Sequence, residues 1–90
     1  MTQERKVALV TGASRGIGAS IAQQLIQDGF FVVGTATSES GAEKLSIAFA
    51  EHGAGAVLDV RDGAEIDALV SDIEQKYGSV MVLVNNAGIT

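Results

Sequence analysis

Two short stretches of this chain have residue types and spacing that could do chemistry. The first is Thr11-Gly12-Ala13-Ser14-Arg15-Gly16-Ile17-Gly18, whose glycines are spaced Gly-x3-Gly-x-Gly. Gly12 would permit a tight turn. Gly16 would let backbone approach a bound group with no Cβ in the way, and Gly18 would let a helix pack closely on a sheet. With a strand before it and a helix after it, such a stretch presents helix N–H groups and a partial positive charge, which suit a diphosphate. The plain alternative is a glycine-rich turn with no ligand. A P-loop is excluded, because no Gly-Lys-Ser/Thr follows. The second stretch is Asn85-Asn86-Ala87-Gly88. The Asn86 amide has donors and acceptors that can bridge adjacent strand ends and a ligand. Asn85 reads as structural, and Ala87 and Gly88 keep room beside it.

Other chemistries are poorly supplied. The chain has no cysteine, which excludes disulfides and thiolate zinc sites, and no metal site is expected. His52 is its single histidine, so a catalytic histidine cluster is excluded. Six Lys and Arg against eleven Asp and Glu leave a net charge of −5, which argues against a nucleic-acid partner. No apolar run approaches the roughly 18 residues of a membrane span, and Met1 to Lys6 do not open a secretory signal. No membrane partner is expected. Ninety residues are one domain at most, and 47% apolar content suffices for a core.

The elements that must position the two stretches follow from patterning. Val7-Ala8-Leu9-Val10 reads as a buried parallel strand. Ile17, Ile21, Ala22, Leu25 and Ile26 recur at helical spacing until Asp28-Gly29 stops the helix. Phe30 to Ala36 is a second strand. Ser40 to Glu43 has capping-box spacing, and Leu45, Ala48, Phe49 and His52 then share one face. Gly53 and Gly55 mark a turn, and Ala56 to Val60 is a third strand. Asp62 to Glu65 is a second capping-box spacing. Ile66, Leu69, Val70, Ile73 and Tyr77 form an apolar stripe closed by Gly78. Val80 to Val84 is the fourth strand.

The order β-α-β-α-β-α-β implies an α/β fold: a Rossmann-type, doubly wound parallel sheet with right-handed crossovers and strand order 3-2-1-4. The first two helices would cover one face and the third the other. Strand 4 would be an exposed apolar edge, which natural proteins avoid. Residues 1–90 are therefore expected to be the N-terminal part of a single dinucleotide-binding domain, or to have a partner that supplies the missing layer.

The glycine stretch and the Asn85-Asn86-Ala87-Gly88 stretch together resemble those of the classical short-chain dehydrogenase/reductase family. With Gly34-Thr35-Ala36-Thr37-Ser38 and Ile89-Thr90, they are similar to the bacterial 3-oxoacyl-[acyl-carrier-protein] reductases within it. The resemblance implies hydride transfer from a nicotinamide cofactor to the carbonyl of an acyl-carrier-protein-bound β-keto thioester, in a cytoplasmic homotetramer. Gly12, Ser14, Arg15, Gly16, Ile17 and Gly18 would hold the cofactor's diphosphate region. No carboxylate stands at Ala36-Thr37-Ser38 to hold a free ribose 2′-hydroxyl, so NADP(H) is favoured. Arg15 can pair with a 2′-phosphate, and Thr37 and Ser38 can donate to it. Glu39 reads as a solvent-facing helix-terminus residue.

The resemblance further implies that Asp59 accepts from the adenine amino group and that the Val60 N–H donates to the ring. Asp59 could equally serve a turn before the third helix. Asn86, Ala87 and Gly88 would lie at the cofactor's ribose region. The family often has Asp just before its fourth strand, where this chain reads Ser79-Val80-Met81. The family's catalytic Ser, Tyr and Lys lie after that strand. Here the one tyrosine, Tyr77, is followed four residues later by Met81 and fits the packing stripe, so no catalytic residue is assigned. Another short-chain carbonyl reductase, a non-catalytic NADP-binding module and a non-binding fragment stay open as alternatives.

Overall fold

Val7, Ala8, Leu9 and Val10 are fully buried, as a strand must be when helices cover both faces of its sheet. A computed structural model describes residues 6–13, 16–59 and 63–86. Its elements are β1 (Val7–Thr11), α1 (Gly16–Gln27), β2 (Phe31–Ala36), α2 (Glu39–Phe49), β3 (Gly53–Val57), α3 (Gly63–Lys76) and β4 (Val80–Asn85). The strands form one parallel sheet in the order β3-β2-β1-β4. Parallel order brings all four carboxyl ends to one edge, where open α/β sheets bind ligands.

Side-chain alternation assigns the faces. Ala8, Val10, Val32 and Ala36 point to α1 and α2, where they meet Ala22, Leu45 and Phe49, with Ile21, Leu25 and Ile26 packed alongside. Val7, Leu9 and Val33 point the other way onto Ile73 of α3, flanked by Leu69, Val70 and Tyr77. Tyr77 stacks at a tilt on Phe31 with ring centroids 4.5 Å apart. The expected two-and-one distribution of helices is what the structure shows. α1 stops where the Asp28, Gly29 and Phe30 amides turn back onto the carbonyls of Gln24, Leu25 and Ile26. The amide of Phe30 therefore belongs to that turn, and β2 begins at Phe31.

Three local expectations are corrected. The cap of α2 is Ser38, not Ser40: Ser38 is extended at the end of β2, and its Oγ accepts from the Gly41 N–H at 3.1 Å. α2 ends at Phe49, because Ala50 turns to φ 52 and opens a single 3-10 turn through His52. His52 and Ala48 are consequently exposed, while Leu45 and Phe49 are buried. Gly53 and Gly55 lie within β3 rather than in a turn, paired with Val32 and Gly34. They serve close approach. A Cβ on Gly55 would overlap the Ala42 carbonyl and meet Leu45 Cβ at 2.9 Å. The Gly55 N–H also donates to Ser46 Oγ at 2.9 Å, so α2 satisfies a donor on this edge strand. Asp62, the expected cap of α3, lies outside the described residues.

β4 is the opposite edge, with Met81 64% and Leu83 54% exposed. A register shift between Val7 and Ala8 leaves Met81 without a paired position on β1. Among the described residues no helix is long and apolar enough to cross a membrane.

Gly55→Ala should cost about 1–3 kcal/mol by overpacking, read as a lower urea midpoint. Gly63→Ala is the control, since a Cβ there meets nothing within 4 Å.

Candidate functional site

The site is built where β1 gives way to the glycine turn. Gly12 takes φ +65 and Gly16 takes φ +64, a left-handed backbone that other residues adopt only with strain. The Gly12 N–H donates to Thr35 Oγ1 at 3.0 Å, and the Ala13 N–H donates to the Thr35 carbonyl at 2.9 Å. On the other side, Asn86 Nδ2 donates to the Gly12 carbonyl at 3.2 Å. The Asn86 N–H donates to Thr11 Oγ1 at 2.9 Å. The Thr11 hydroxyl in turn lies 3.2 Å from Asn85 Oδ1 and 3.4 Å from the Val84 carbonyl, either of which can accept its proton. Hydrogen bonds thus tie the ends of β2, β1 and β4 together around one residue, Gly12.

α1 starts directly above this junction. Gly18 is buried, and a Cβ there would overlap the Gly12 carbonyl and stand 2.7 Å from Asn86 Nδ2. The helix can approach the strand ends this closely only because Gly18 has no side chain. The N–H groups of its first turn have no acceptor within the helix, and they mark its positive end. That turn carries no acidic residue. Gly16 faces space that a Cβ would enter, with nothing within 4 Å. Ile17 is 72% exposed rather than packed in the apolar stripe of α1, because it stands at the helix mouth beyond the strand ends. An open cradle of backbone donors with no protein carboxylate in its first turn fits a diphosphate.

Comparison with known proteins agrees with this geometry. The profile of the short chain dehydrogenase family matches residues 6–90. The chain belongs to that family. It is 52% identical over 85 residues to the 3-oxoacyl-[acyl-carrier-protein] reductase FabG of Haemophilus influenzae, covering 94% of this chain and 35% of that protein. It is 51% identical over 90 residues to the proteins of the same name from Salmonella typhimurium and Escherichia coli, covering 100% of this chain and 37% of each. The chain therefore spans little more than a third of the length of these relatives.

The residues that carried the family resemblance fall unevenly on the structure. Gly12, Gly18 and Asn86 are brought together, with Gly16 and Ile17 at the mouth of the same short-chain dehydrogenase turn. Thr37 and Ser38 are exposed where β2 ends. The Ser38 oxygen accepts as the cap of α2 and also lies 3.4 Å from Ser40 Oγ, where either hydroxyl can donate. Glu39 is exposed in the first turn of α2, where a carboxylate complements the helix dipole. Asp59 follows the end of β3 by two residues, and its N–H lies 3.5 Å from Glu65 Oε1. The expected third strand over Ala56 to Val60 is thus displaced toward its start. Ser14, Arg15, Val60, Ala87 and Gly88 lie outside the described residues.

Thr11 and Thr35 are the site residues that sequence reasoning missed. Both are about 1% exposed, and their hydroxyls receive the Asn86 and Gly12 amides. The available signal was a threonine at the last or next-to-last position of an otherwise apolar buried strand, where an uncompensated hydroxyl would be costly.

Thr11→Val keeps the shape and removes the acceptor of the Asn86 N–H. Chemical denaturation should show a loss of about 1–3 kcal/mol, and Thr11→Ser should recover most of it.

Proposed function

We propose that this chain is the N-terminal part of a single dinucleotide-binding domain in an NADP(H)-dependent reductase of the short-chain dehydrogenase family. Its substrate is a 3-oxoacyl group carried as a thioester on acyl carrier protein, and its product is the 3-hydroxyacyl thioester. The observation that carries this reading is the junction of Gly12, Gly18 and Asn86 beneath the donor-rich first turn of α1. The substrate class rests on the relatives at 51–52% identity that bear the name 3-oxoacyl-[acyl-carrier-protein] reductase.

Each residue has a physical task. The Gly16, Ile17 and Gly18 amides receive the diphosphate at the positive end of α1, helped by Ser14. Arg15, Thr37 and Ser38 hold the 2′-phosphate, and no carboxylate stands at Ala36-Thr37-Ser38 to repel it. Asp59 and the Val60 amide receive the adenine. Asn86 holds the strand ends while Ala87 and Gly88 leave room for the ribose. When bound, the reduced nicotinamide supplies a hydride to the β-carbonyl. The proton donor is outside this chain, since Tyr77 is engaged in packing on Phe31. We place the full polypeptide in the cytoplasm as a homotetramer.

The packed Tyr77 also favours a second reading, a nucleotide-binding module without catalysis. Another carbonyl substrate within the family is a third. Turnover separates them. The full polypeptide should oxidise NADPH with a β-keto thioester, whereas the 90-residue chain should not. Oxidation by the short chain would overturn the assignment of the missing proton donor.

Cofactor choice gives a finer test. Arg15→Ala should weaken NADPH about tenfold and NADH much less, the loss of one charge-assisted phosphate contact. Thr37→Asp should reverse the preference toward NADH, because the carboxylate repels a 2′-phosphate and can hold a free ribose hydroxyl. Equal losses for both nucleotides in Arg15→Ala would remove Arg15 from the 2′-phosphate site.

A further inference from the structure

Thr35 is the least conspicuous residue of the junction and the one that most restricts it. Two consecutive amides of the glycine turn end on it. The Gly12 N–H donates to its Oγ1 at 3.0 Å and the Ala13 N–H to its carbonyl at 2.9 Å. Its side chain lies on the same face of the sheet as Val33, opposite α1 and α2. A second strand needs no hydroxyl for its own ladder, so the acceptor at this position serves the turn. The Gly12 carbonyl is held from the other side by Asn86 Nδ2, so both polar atoms of this residue have fixed partners.

Resting on the nicotinamide reading above, we propose that Thr35 is a positioning residue for the diphosphate of the cofactor. By taking the Gly12 and Ala13 amides, it withdraws the first half of the turn from ligand binding. Among the described residues, the donors left for the diphosphate are those of the first turn of α1, at Gly16, Ile17 and Gly18, which have no intrahelical acceptor. The same clamp sets the height of the turn against β2. Thr37, two residues further along the chain, leaves the same strand end. Thr35 touches neither phosphate: it acts on the diphosphate through the turn, whereas Thr37 and Ser38 at the end of β2 keep their contacts to the 2′-phosphate whether or not the Oγ1 bond is made.

The test measures dissociation constants of the full polypeptide for NADPH, NADH and adenosine 2′-monophosphate, which lacks the diphosphate. Thr35→Val keeps the shape and removes the acceptor. It should weaken NADPH and NADH by the same factor, about tenfold for one lost buried hydrogen bond. It should leave adenosine 2′-monophosphate unchanged. Thr35→Ser should restore the wild-type values. Where the valine variant is too unstable to purify, Thr35→Cys, similar in size and a poor acceptor, should give the same pattern. Equal weakening of all three ligands would mean general loosening and would overturn the inference. Wild-type binding that the valine variant leaves intact would overturn it alone. A wild-type protein that binds none of the three would overturn the nicotinamide reading and this inference with it.

Discussion

The structure depends on how the Gly12 residue is held. Its N–H is received by a hydroxyl from β2 and its carbonyl by an amide following β4. Each contact replaces water around a backbone group that burial would otherwise leave costly and unpaired. Three strand ends are therefore locked to one another at the point where the chain must turn from sheet to helix. A parallel sheet has no hairpin to fix its strand ends, so side-chain hydrogen bonds of this kind do that work.

Small residues follow from the same constraint. Gly18 brings α1 down onto the Gly12 carbonyl, and Gly55 brings α2 down onto β3. α1 and α2 lie close to the sheet because glycine stands at each of these contacts, and the positive end of α1 is fixed over the edge where all strands finish. The result is a rigid floor of satisfied backbone groups under an open mouth lined by Gly16 and the exposed Ile17. Rigid, preorganised donors of this kind lose little on binding an anion.

The two edges of the sheet are managed differently. β3 gives an amide to Ser46 of α2, so part of its edge is occupied. β4 leaves Met81 and Leu83 exposed, while its Val82 and Val84 pack on the face covered by α1 and α2. The polar junction and the apolar edge meet in the same strand. Its last residues hold the turn while its middle residues present uncovered side chains.

The alternation of buried strands with helical stripes was legible in the residues. It dictated a parallel α/β sheet, because continuous apolar runs can be buried only between two helical layers. The glycine spacing placed the turn, and with it Gly12, Gly16 and Gly18, while Asn86 was read from the Asn85-Asn86-Ala87-Gly88 stretch that ends the fourth strand. What sequence could not decide were contacts made across the sheet. Gly53 and Gly55 looked like a turn because a missing side chain reads the same whether the backbone bends or a helix presses on it. Ser40 looked like a cap because capping depends on where the preceding strand stops. Thr11 and Thr35 looked like ordinary strand residues. Their partners lie 75 and 23 positions away, and only the pairing of β1 with both neighbours brings those amides within reach. Local periodicity is written along the chain, whereas hydrogen bonds between distant residues exist only once the sheet has formed.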